Sequence, residues 1–146
     1  MGHELHVQLF AVLCLFGWGY ALFRGDWPER VSALLLIGAS VLSVIAVTPG
    51  DDSFTHVEWR IAAVDGLLFF AFALLAIFSR RSWLIWMASF QLLILLSHFP
   101  ILVRPIAAPE SYTIVAGLWP WIMMPILIFA THKSWLMRRR RANSQS

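Results

Sequence analysis

Residues 83–99 read Trp-Leu-Ile-Trp-Met-Ala-Ser-Phe-Gln-Leu-Leu-Ile-Leu-Leu-Ser-His-Phe, a run without formal charge between Arg80-Arg81 and Pro100. A helix over this run, rising about 1.5 Å per residue, nearly crosses a bilayer core of roughly 30 Å. Two polar side chains interrupt it, Gln91 near mid-depth and His98 at the far end. Their separation places both on one helical face. Outward from this run, the chain repeats the same design.

Of the 146 residues, 60% are hydrophobic and 13% charged. A soluble domain carries about 25% charged residues, so this much apolar surface calls for lipid as solvent. Four more runs have the required length and polarity. The expected fold is therefore all-α, a polytopic bundle of five transmembrane helices over residues 5–23, 31–47, 61–78, 83–99 and 112–131. Pro120 and Pro125 are expected to kink the fifth span. Thr48-Pro49-Gly50-Asp51-Asp52-Ser53 ends the second with turn signals. Pro100, Pro105 and Pro109 make 100–111 a connector rather than a helix. Residues 133–146 form a basic tail containing Arg138-Arg139-Arg140-Arg141, expected to be disordered beyond the arginines. The N-terminus lacks the basic region and cleavage site of a signal peptide, so the first span is read as a mature helix.

Charge sets the direction. With five spans and the C-terminus in the cytoplasm, Arg24, Arg30, Arg80, Arg81, Lys133 and Arg138 to Arg141 all fall inside, nine of the eleven Lys and Arg. Only Arg60 and Arg104 fall outside. The positive-inside bias thus predicts N-out, C-in, in a cytoplasmic (inner) membrane. It also accounts for the pI near 9.8. The arginine run Arg138, Arg139, Arg140 and Arg141 is an anchor for anionic lipid, at about 1 kcal/mol per residue. No nucleic-acid partner is expected.

Small residues recur at helical spacing in three spans: Gly17 with Ala21, Ala39 with Ser43, and Ala62 with Gly66. Such pairs let backbones approach closely in a membrane. The second span, richest in small residues, is expected to be the central packing partner.

Polar groups inside the spans mark candidate sites. Asp65 is the only formal charge within a span, and a charge at the middle of a helix costs at least about 2.5 kcal/mol. From helix rise alone, Asp65 lies roughly 6 Å below the outer boundary, with Gln8 and His98 within about 5 Å of it. Gln91 lies deeper on the face of His98. Glu58 falls on the face of Asp65, seven residues earlier. These five residues are the candidates for an outward-facing ligand or proton-relay pocket, in which Asp65 and His98 form a charge-assisted pair. The competing expectation is structural, with Asp65 as interhelical glue and His98 as a helix cap.

His6, His56 and His98 are the candidates for haem or metal ligation, with Arg60 beside a propionate. No His-x-x-x-His or Glu-x-x-His spacing prepares a metal face. The single cysteine, Cys14, forms no intrachain disulfide. There is no Gly-x-Ser-x-Gly, His-Glu-x-x-His, phosphate loop or dinucleotide fingerprint, so no catalytic residue is assigned. The expected function is that of a small integral membrane protein acting as a structural or accessory subunit, packing with itself or with a larger complex. No cofactor is expected on that view. The alternative is a small transport, proton-relay or redox-linked protein, in contact with quinone or haem, using Asp65, His98, Gln91 and Gln8.

Overall fold

The structure, a computed structural model, describes residues 2–46, 54–98 and 109–144, with side chains described at 5–6, 8–45, 59–98 and 120–144. Every regular element among the described residues is helical: α1 (Gly2–Arg24), α2 (Trp27–Ala46), α3 (Phe54–Ser79), α4 (Ser82–Ser97) and α5 (Pro109–Asn143). The Thr48–Ser53 turn and most of the proline connector lie outside the described residues.

The helices outrun the apolar spans. α3 begins at Phe54 rather than Ile61, and α5 continues beyond Thr131 to Asn143. Intrahelical hydrogen bonds depend on backbone, not on side-chain polarity. The helix therefore continues through Trp59-Arg60 and through the arginine run. α5 is one element through Pro120 and Pro125, although each proline removes one backbone donor. Among the described residues, two helices are long and apolar enough to cross a membrane by length and composition, over Trp27–Ile45 and Trp59–Ser79. The apolar stretches Gln8–Arg24 and Ser82–Ser97 are shorter. Large apolar side chains are exposed on all five helices, including Phe16, Val44, Phe70, Ile85 and Phe129.

The chain divides into two compact units, Met1–Leu34 with Trp121–Ser146, and Leu35–Pro120. In the first, α1 runs parallel to α5. Phe10 meets Trp121 at 5.1 Å between ring centroids, and further along both helices the Tyr20 hydroxyl meets His132 Nδ1 at 2.9 Å. α2 runs antiparallel to α5, since Asp26 pairs with Arg138 while the later Glu29 pairs with the earlier Ser134. The core here holds Cys14, Ala21, Ala33, Met123, Met124, Leu127 and Ala130.

The turn from α1 to α2 is tight. The Gly25 N–H donates to the Ala21 carbonyl at 2.9 Å, and Arg30 N–H to the Asp26 carbonyl at 3.0 Å. A Cβ at Gly25 would overlap the Ala21 carbonyl oxygen and stand 2.7 Å from Glu29 Cβ. Only glycine allows that approach. Pro28 then occupies the first turn of α2, where its missing donor is no loss.

In the second unit, α3 and α4 form an antiparallel hairpin around Leu68, Phe72, Leu75, Leu84, Met87 and Ile94. Arg80 ends α3 in the left-handed region, at φ 51°, and its N–H donates to the Ala76 carbonyl at 3.0 Å. Arg81 is extended at φ −99°, ψ 116°, and α4 starts immediately after it.

Candidate functional site

α3 and α4 together place three polar side chains in one contact. Asp65 Oδ1 accepts a hydrogen bond from Gln91 Nε2 at 2.8 Å, and Asp65 Oδ2 lies 2.9 Å from His98 Nε2. Gln91 and His98 are 2% and 3% exposed. Asp65 keeps 16% of its side chain accessible. The local sequence explains the convergence. Gln91 and His98 share a face of α4 two turns apart, and Asp65 on α3 stands between them. His98 closes α4 with φ −72°, ψ −21°, and its N–H donates to the Leu95 carbonyl at 3.2 Å. Its side chain therefore projects from the helix end toward the carboxylate.

The arrangement engages both carboxylate oxygens, each with a donor from the neighbouring helix. It can clamp two helices together, and it can hold a proton between a carboxylate and an imidazole. It offers no nucleophile.

The other sequence candidates fall elsewhere. Gln8 is exposed and belongs to the first unit. Equal depth on separate helices does not fix the direction in which a side chain points. The side chains of Glu58 and His56 lie outside the described residues, and His6 is exposed. Among the described residues, no group of three or more His, Cys, Asp or Glu gathers as a metal site.

The three small-residue pairs differ. Gly17 and Ala21 are buried, and a Cβ on Gly17 would stand 3.2 Å from Met124 Sδ and 3.5 Å from Ile128 Cδ1. Ala62 is buried and Gly66 half-buried, facing Leu95 of α4. Ala39 and Ser43 are only half-buried, and a Cβ on Gly38 would meet nothing within 4 Å. From Gly38 to Ile45 no residue of α2 is buried. The helix expected at the centre of the bundle thus leaves its small face largely uncovered.

The arginine run is partly engaged. Arg138 pairs with Asp26 at 2.8 Å and donates to the Arg24 carbonyl. Arg24 and Arg139 lie over the Trp135 ring, 5.2 and 4.9 Å from its centroid. Arg140 and Arg141 are exposed in the last turn of α5.

One residue escaped sequence reasoning. Glu29 is fully buried; its Oε1 accepts from the Ser134 hydroxyl at 2.7 Å, and its Oε2 is buried without a partner. Asp26-Trp27-Pro28-Glu29 has the spacing of a capping box, which suggests a solvated residue bonding its own helix start. The side chain instead turns to α5. The available signal was a carboxylate just before an apolar run, with Thr131 and Ser134 at helical spacing around the end of the fifth span.

No known protein family, curated protein or solved structure matches this chain.

Proposed function

We propose that the protein is a multi-pass component of a cytoplasmic membrane that acts by helix packing, as a structural or accessory subunit of a homo-oligomer or larger complex. It crosses five times, N-out and C-in. α2 and α3 supply the two crossings that length and composition already allow. α1, with 23 residues, is about 35 Å long, and α4, with 16, about 24 Å. α4 thus implies local thinning or a crossing completed by the residues after it. The single observation that carries the packing role is the uncovered Gly38–Ile45 stretch, with small residues at Gly38, Ala39 and Ser43 on an otherwise apolar helix. Within lipid such a face gains by close packing against another helix.

The Asp65–Gln91–His98 cluster fits this role as an internal clamp, because its hydrogen bonds are satisfied within the chain. The test is Ala39→Leu in the purified protein. Assembly seen by native mass spectrometry or pull-down is expected to be lost, with the thermal midpoint of the monomer unchanged. An assembly that tolerates Ala39→Leu would remove the packing role.

A second reading rests on the 2.9 Å Asp65–His98 contact, a carboxylate–imidazole pair able to pass a proton. It assigns transport, proton-relay or quinone-linked chemistry to the same cluster. Under it, Asp65→Asn and His98→Ala abolish function in a protein that still assembles.

A further inference from the structure

Four polar side chains of the first unit are almost wholly buried where α2 meets α5. Glu29, Ser32 and Thr131 are 0% exposed and Ser134 3%. Glu29 and Ser32 share a face of α2, and Thr131 and Ser134 a face of α5, each pair one turn apart. The antiparallel register set by the Glu29–Ser134 bond places Ser32 opposite Thr131 in the next layer, beside Ala33 and Ala130. Those alanines are themselves buried in this seam.

Every hydroxyl in the seam already donates. Ser32 Oγ donates to the Pro28 carbonyl at 2.8 Å, Thr131 Oγ1 to the Leu127 carbonyl at 2.8 Å, and Ser134 Oγ to Glu29 Oε1 at 2.7 Å. A hydroxyl has one proton, so each of these oxygens can now only accept. Glu29 Oε2 adds a buried acceptor with no partner. The neighbouring basic groups point elsewhere: Arg30 Nε donates to the Gly25 carbonyl, and Arg138 engages Asp26 and the Arg24 carbonyl. Trp18 Nε1, also buried without a partner, is on α1 and outside the seam.

The seam is therefore rich in oxygen acceptors, its hydroxyl protons are already used, and it is shielded from water. It carries one carboxylate, in the first turn of α2, where the helix dipole favours negative charge. An unsatisfied buried acceptor is costly, and its complement is positive charge or a donor brought from outside. Hard cations take oxygen ligands of this kind. One carboxylate balances one charge, whereas a divalent ion would leave an excess in the low-dielectric interior. We propose that Glu29, together with the hydroxyl oxygens of Ser134, Ser32 and Thr131, is a binding site for a dehydrated monovalent metal cation. The site is independent of the Gly38–Ile45 face, and either can fail without the other.

The test uses the full chain in detergent, with lithium, sodium or potassium chloride against choline chloride at equal ionic strength. At roughly hundredfold excess over the dissociation constant, one alkali cation is expected to raise the unfolding midpoint by about 5–10 °C, saturably. Glu29→Gln and Ser134→Ala are each expected to weaken the apparent affinity by about tenfold or more. Equal midpoints in all four salts overturn the site, as does a shift that persists unchanged in both variants. A readout on the unmodified sequence is labelling by a hydrophobic carbodiimide, followed as the mass of the Glu29 peptide. The bound cation is expected to slow that labelling by about tenfold. Labelling indifferent to the salt also overturns the site.

Discussion

Among the described residues, Asp65 and Glu29 are carboxylates that bond across helices, and they are finished differently. Asp65 has both oxygens engaged by donors 26 and 33 residues away, all within the α3–α4 hairpin. Glu29 has one oxygen engaged, by a hydroxyl 105 residues away, and one bare. A fully connected polar network strengthens the contact it lies in, whereas a half-connected one weakens it relative to an apolar core. Asp65 thus has the form of a fastening, and Glu29 that of a seat for something the chain does not itself provide.

Truncating Asp65 sharpens the contrast most. Asp65→Ala removes the carboxylate acceptor of both Gln91 and His98, which are otherwise shut from water. Burying those groups without it is expected to cost about 2–4 kcal/mol, above the average membrane hydrogen bond because two contacts are lost together. Thermal unfolding in detergent, followed by tryptophan fluorescence, measures it. Asp65→Asn should fall between wild type and Asp65→Ala. A loss below about 0.5 kcal/mol would mean that the hairpin is held by its apolar core alone.

The matching change at the other carboxylate should have the opposite sign. Glu29→Met replaces a half-satisfied buried acid by an apolar side chain of similar length. Exchanges of this kind are neutral or stabilising, and about 1 kcal/mol of gain is expected in choline chloride. Ser134 need not be stranded, because its hydroxyl can turn back to the Ala130 carbonyl, as Ser32 and Thr131 already do to the carbonyls four residues earlier. In the salt of a cation that binds, the order should reverse, with wild type the more stable. A Glu29→Met protein less stable than wild type in choline chloride would place Glu29 in the same class as Asp65.

The same pair of sites shows what could be read from the chain beforehand. Asp65 stood out because lipid penalises a charge within an apolar run, and His98 followed because helix rise put it at similar depth. Depth says nothing about azimuth, so helix rise alone groups Gln8 with them, although it is exposed in the first unit. Glu29 stood among Arg24, Asp26 and Arg30 and resembled the solvated turn around it. Its burial comes from α5 returning across it, a long-range event with only faint local trace. Helix existence was legible from apolar runs, but helix ends were not. The apolar pattern ends where the backbone ladder continues, at the starts of α2 and α3 and the end of α5. Small-residue spacing picks out Gly17 with Ala21, both buried, and Ala62 with Gly66, the first buried and the second half-buried. It could not tell them from Ala39–Ser43, whose neighbour is not supplied by the described chain.

The smallest expected effect compares the glycines of those two pairs. Gly66→Ala adds a Cβ that meets Leu95 Cδ1 at 3.9 Å, an ordinary contact. The substitution should gain close to the helix-interior advantage of alanine over glycine, about 1 kcal/mol. Gly17→Ala gains the same backbone term, but its Cβ would stand 3.2 Å from Met124 Sδ, a separation that the sulfur must relieve. Methionine is flexible enough to yield, at the cost of contacts it now makes with α1. The two terms should nearly cancel, leaving Gly17→Ala within about 0.5 kcal/mol of wild type. Unfolding midpoints of the two variants, measured side by side, decide it. Equal gains would show that α1 and α5 have slack at Met124. A loss at Gly66 would show that α3 and α4 touch more closely than a 3.9 Å contact allows, and would make that pair, with Asp65, part of the same fastening.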